Sequence, residues 1–106
     1  MHISEILTHL GEERENYFNA VSPPIIQSSN FAFDSIDAFR DAIVNELDNH
    51  LYTRGNNPTV QILRKKIAAL EGAEDALILA SGAGANSIAV IANVKQGDHV
   101  VCVQNP

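Results

Sequence analysis

From Pro58 onward the sequence reads as helix, strand, helix, strand with short joints, and this alternation constrains the chain more than any other feature. Asn57 is a good N-cap, and Pro58 stands at the first helical position, where its missing N–H costs nothing. Val60, Leu63, Ile67 and Leu70 recur at helical spacing, Arg64, Lys65 and Lys66 are expected to face water, and Gly72 ends the helix. "DALILA", residues 75–80, reads as a buried strand. "GANSIAVIANVKQ" reads as a helix bounded by Ser81 and Gly97, and "HVVCV", residues 99–103, as a second strand. Strand, helix and strand at this spacing predict an α/β fold with a βαβ unit, parallel strands and a right-handed crossover.

Residues 1–57 have a different texture, polar and irregular. Ile3, Ile6, Leu7 and Leu10 share a helical face, and Gly11 is a plausible stop. Pro23 and Pro24 forbid a helix through "VSPPIIQSSNFAF", which predicts an extended crossing segment. Asp34 is placed to cap the next helix with Asp37 three residues on, and Ile36, Phe39, Ile43 and Leu47 would form its buried stripe. No repeat or low-complexity tract interrupts the chain.

The bulk numbers exclude some functions. The 106 residues are 45% hydrophobic, which suits one domain or a piece of one. A formal charge of −6 argues against a general nucleic-acid binder but leaves room for a small anion held by local cations. The single cysteine, Cys102, cannot form an internal disulfide; a reducing, cytoplasmic setting and a small buried strand residue are expected. "MHISEILTHLGEE" lacks the pattern of a signal peptide, and no apolar run is long enough for a membrane span. His2, His9, His50 and His99 lack metal-ligand spacing and read as surface or capping residues. Glu12, Glu13 and Glu15 read as a solvated acidic patch, and Ser28, Ser29 and Ser81 have no evident base for hydrolytic chemistry.

Two places could hold a ligand. The turn "LASGAGANS" carries a strand end directly into a helix start, where free amides and the helix dipole favour a phosphate. Gly82 and Gly84 remove obstructing side chains; equally, Ser81 could simply cap and the glycines could permit tight packing. Gly82, Gly84 and Ser87 approach the dinucleotide fingerprint, but the second strand ends in Val103, Gln104 and Asn105 without the acid that would hold a ribose. Tyr52 and Arg54 form the second place: a guanidinium fork suits phosphate or carboxylate, and a phenol adds a donor. Taken alone, Arg54 is more simply an exposed arginine paired with one of the many acids, a contact worth about 0–1 kcal/mol.

In combination the segments "VSPPIIQSSNFAF", "YTRGNNPTVQILRKKIAALEG", "ASGAGANSIAVI" and "QGDHVV" resemble, in that order, the amino-terminal part of the Cys/Met-metabolism family of pyridoxal-phosphate enzymes. Cystathionine γ-synthase, the cystathionine lyases, methionine γ-lyase and the acyl-homoserine sulfhydrylases belong to it. The resemblance covers nearly the whole chain, is weakest before Asn19, and is most specific in the Tyr-x-Arg-x-x-Asn-Pro-Thr string at 52–59.

This resemblance implies the aminotransferase-like arrangement called fold type I, here incomplete. Residues 1–57 would be an arm making intersubunit and active-site contacts, and residues 58–106 the start of the large cofactor-binding domain. It implies pyridoxal 5'-phosphate as cofactor, a small sulfur amino acid as substrate, no nucleic-acid or membrane partner, and a homodimer or homotetramer with shared active sites. Gly82 and Ala83 would give backbone amides to the cofactor phosphate of their own subunit, and Tyr52 and Arg54 would bind that of the neighbour. The family usually has methionine where Ala83 stands, and "SSN" at 28–30 replaces its common Thr-Ser-Thr. Its ring-stacking tyrosine would follow Pro106 directly, and its covalently bound lysine and pyridine-pairing aspartate come much later. Lys65, Lys66 and Lys95 are poor substitutes, so these 106 residues alone are expected to be inactive. Two other readings stay open: a non-catalytic βαβ module that binds phosphate or nucleotide and folds alone, and a truncated product that only joins full-length subunits.

Overall fold

The computed structural model describes residues 1–105. Helix α1, Ile3–Thr8, is capped by His2, whose ring accepts from the Ser4 amide while Glu5 accepts from the His2 amide at 2.9 Å. A 3-10 turn, Arg14–Tyr17, leads to the extended proline segment. Helix α2, Ile36–Val44, is capped by Ser35, not by Asp34 with Asp37: the Ser35 hydroxyl accepts from the Ala38 amide at 3.1 Å. The shorter serine side chain, one residue closer, reaches the same free amides.

Helix α3, Pro58–Glu71, follows the sequence closely. Asn57 accepts from the Thr59 amide at 2.9 Å, Pro58 occupies the first turn, and Gly72 closes the helix at φ 65°. Helix α4, Gly82–Asn93, starts at Ser81, whose hydroxyl accepts from the Gly84 amide at 3.0 Å. It ends before the predicted Gln96.

Helix α1 packs on α3, and this contact is the one packing between two α-helices among the described residues. Gly11, at φ 78°, lets the chain pass so close that an added Cβ would stand 3.2 Å from Lys65 Cδ and 3.4 Å from the Ile62 Cα. Lys66 then reaches back, donating to the Leu7 carbonyl at 2.8 Å and pairing with Glu12. The Lys66 and Glu12 side chains are only 15% and 11% exposed, which corrects the expectation that they sit in water.

The predicted strands do not form among the described residues. Segments 75–80 and 99–103 carry no ladder, and the one β-bridge lies elsewhere, antiparallel between Asn30 and Tyr52. The βαβ unit expected from the pattern is therefore not formed among the described residues. A strand is completed only by a neighbour that takes its N–H and C=O groups, and two lone parallel strands offer too little. The consequence reaches the cysteine as well: Cys102 is exposed, not buried in a sheet.

The apolar stripes are correspondingly bare. Ile6, Ala42 and Ala68 are buried, whereas Leu47, Leu77, Ile91 and Val101 are 79%, 70%, 68% and 85% exposed. The accessible surface is 8680 Å², against about 5,800 Å² for a compact folded chain of this mass.

Candidate functional site

The loop before α3 is held by three polar side chains. Asn57, 3% exposed, donates to the Ile26 carbonyl at 3.0 Å and to the Thr53 hydroxyl at 3.0 Å while capping α3. The Thr59 hydroxyl accepts from the Ile26 amide at 3.0 Å and donates to the Pro24 carbonyl at 3.2 Å. Thr53 donates through its hydroxyl to the Ser28 carbonyl and through its amide to the Ser29 carbonyl at 2.9 Å. The proline segment and the loop that carries Tyr52 and Arg54 are thereby one unit.

On that unit the Arg54 guanidinium lies 5.1 Å from the centroid of the Tyr52 ring, within cation–π range. Both residues are exposed. Arg54 has no carboxylate partner among the described residues, so the simple surface ion pair is not what occupies it.

A cleft of about 300 Å³ opens beside this loop, with Arg54, Asn56 and Arg64 on one wall and residues 77–80 on the other. Asn56 is buried, and its Oδ1 has no hydrogen-bond partner. Arg64 is not the solvated residue its helical position suggested. Its side chain is 12% exposed, its Nε donates to the Ala76 carbonyl at 2.8 Å, and its terminal nitrogen pairs with Asp75. The guanidinium holds the Asp75 carboxyl below its ordinary pKa, helped by the Ala76 amide. A depressed carboxyl pKa supports the pair above the ordinary carboxylate range, and that support is lost as pH falls through the lowered value.

Just past the cleft, α4 begins. Ser81 takes the amide of Gly84 through its hydroxyl and that of Ala85 through its carbonyl. The amides of Gly82 and Ala83 are left without an acceptor among the described residues. A Cβ built on Gly82 would meet nothing within 4 Å, so the approach is open. Free N–H groups at a helix start with no side chain in front of them fit a phosphate. Tyr52 is joined to Arg54, and Gly82 adjoins Ala83, but the two pairs do not line a common cleft: Ala80 is the last residue of its rim.

Sequence reasoning missed Thr53, Thr59 and Arg64 as organising groups. Asn57 was recognisable as a cap; its bond to Ile26 reaches a segment far away in the chain and leaves no local pattern. No group of metal-ligating side chains occurs among the described residues.

An open helix start and an arginine without a carboxylate partner are both features that suit a phosphorylated ligand. Residues 4–105 match the model of the Cys/Met metabolism PLP-dependent enzyme family, and the chain belongs to that family. It is 41% identical over 87 residues to an L-methionine gamma-lyase of Porphyromonas gingivalis, covering 82% of this chain and 22% of that protein. It is 36% identical over 93 residues to an O-acetyl-L-homoserine sulfhydrylase of Corynebacterium glutamicum, covering 88% of this chain and 21% of that protein. A cystathionine gamma-synthase 1, chloroplastic, of Nicotiana tabacum is 34% identical over 98 residues, covering 91% of this chain and 18% of that protein. The chain thus spans about a fifth of the length of the curated relatives it matches. Its family is dependent on pyridoxal phosphate.

Proposed function

We propose that this chain is the amino-terminal part of a pyridoxal-phosphate-dependent trans-sulfuration enzyme, a carbon–sulfur lyase or a γ-replacement synthase acting on a small sulfur amino acid. The observation that carries the reading is the open helix start: two unpaired amides, Gly82 and Ala83, with clear space before them. When bound, pyridoxal phosphate supplies the electron sink for bond breaking at the substrate's side chain. This chain's part is to hold the phosphate.

Gly82 and Ala83 would donate to the phosphate in their own subunit, the α4 dipole adding to the attraction. Tyr52 and Arg54 would donate to the phosphate of a neighbouring subunit, in a cytoplasmic homodimer or homotetramer. Support for a contribution in trans comes from the Arg54 guanidinium, which is exposed and without a carboxylate partner. Linkage then makes cofactor binding and association reinforce each other. Residues 1–57 form the intersubunit arm in this reading, and residues 58–106 open the large domain. Segments 75–80 and 99–103 become paired parallel strands of a fold type I sheet once further strands adjoin them.

The competing picture, a phosphate- or nucleotide-binding βαβ module that folds alone, loses support from the unpaired strands and bare apolar stripes. In the complete protein, Arg54→Ala should weaken pyridoxal-phosphate retention by about ten- to a hundredfold, the loss of charge-assisted hydrogen bonds, with little change in subunit folding. Cofactor affinity measured by visible absorbance checks this, and an unchanged value would remove Arg54 from the site.

A further inference from the structure

Two parts of this molecule meet across the cleft. One is α3 with the loop 52–57 at its start; the other begins at Asp75 and runs into the turn 81–83. Among the described residues, Arg64 makes the only side-chain hydrogen bonds and ion pair that join residues 75–105 to anything before Gly72. Helix α4 packs against no other helix. The position of its first turn relative to α3 is therefore set at the start of segment 75–80, where Arg64 grips both a carbonyl and a carboxylate.

We propose that Arg64 is a positioning residue for the phosphate site: through Asp75 and the Ala76 carbonyl it fixes where the Gly82 and Ala83 amides stand. The inference rests on the phosphate-binding reading given above. A guanidinium is suited to this work, because its planar fork serves two acceptors at once while remaining charged. The two acceptors belong to adjacent residues, so they define a direction as well as a point. From Ala76 an extended chain needs only a few residues to reach Ser81, leaving little length over which an error in direction could be corrected. Arg64 itself is mostly buried and already bonded, so it holds the wall and does not bind the ligand.

The test uses the complete enzyme and compares pyridoxal phosphate with pyridoxal, which lacks the phosphate. Arg64→Met and Asp75→Asn should each weaken pyridoxal phosphate by about tenfold, the worth of one misplaced charge-assisted hydrogen bond, and leave pyridoxal nearly unchanged. Arg64→Lys, which can serve one acceptor but not both, should recover part of the loss. A general structural role would instead weaken both ligands together. Equal weakening of the two, or no change in either, overturns the inference. Should Arg64→Met fail to fold, Asp75→Asn decides by the same ratio. If the unaltered enzyme does not prefer pyridoxal phosphate to pyridoxal, the phosphate-site reading itself fails, an outcome distinct from failure of the variants.

Discussion

Asn57 performs three tasks with one amide group. Its oxygen caps α3, and its nitrogen ties the loop to Ile26 and to Thr53. Two substitutions separate these tasks. Asn57→Asp keeps the acceptor and loses both donors; Asn57→Ala loses everything. The alanine variant should cost about 2 kcal/mol or more, a lost cap of about 1 kcal/mol plus a buried acceptor left unpaired. The Ile26 carbonyl loses its Asn57 donor in both variants, so its carbonyl resonance should shift in both, whereas the Thr59 amide should stay protected against exchange only with aspartate. An Ile26 carbonyl resonance at the same position in both variants and the unaltered protein would show that this donor does nothing. The comparison also marks what the sequence discloses. Capping is a matter of neighbouring residues, so Asn57 and Pro58 could be read as a helix start; the bond to Ile26 depends on a segment brought there by the fold. The same applies to Arg64, whose partners lie beyond the Gly72 turn.

Helices here were legible where their ends carry local chemistry, as at Asn57, Gly72 and Ser81. The strand pattern at 75–80 and 99–103 is not realised as a ladder, because an extended segment becomes a strand through its partner, and these have none among the described residues. The α1–α3 pair shows how an element can depend on one residue without a side chain. Gly11 combines a left-handed φ of 78° with a close approach to Ile62 and Lys65. Gly11→Val would place a branched Cβ in both difficulties at once, and should cost about 1–3 kcal/mol. The expected signature is selective: α1 amides lose protection against exchange, while those at the centre of α3 keep theirs. Uniform loss across both helices would mean that α1 supports α3 more than the packing suggests.

Across the whole molecule the balance of surface is unusual. The radius of gyration is 17.4 Å, where a compact chain of this length has roughly 13 Å. Large apolar side chains stand uncovered on α2, on α4 and along both unpaired segments. The 106 residues by themselves should bind a hydrophobic dye strongly and self-associate without limit as concentration rises, whereas the complete protein should be dye-silent and stop at one defined oligomer. Dye fluorescence and small-angle scattering on the two forms check this; a compact, dye-silent monomer from the short chain would contradict it. Helix α4 has its own cap and hydrogen bonds but no neighbouring helix to settle its tilt. In the reading proposed above, its leading amides take their aim from α3 by way of Arg64, and whatever docks beside α4 in the complete protein would add to that hold.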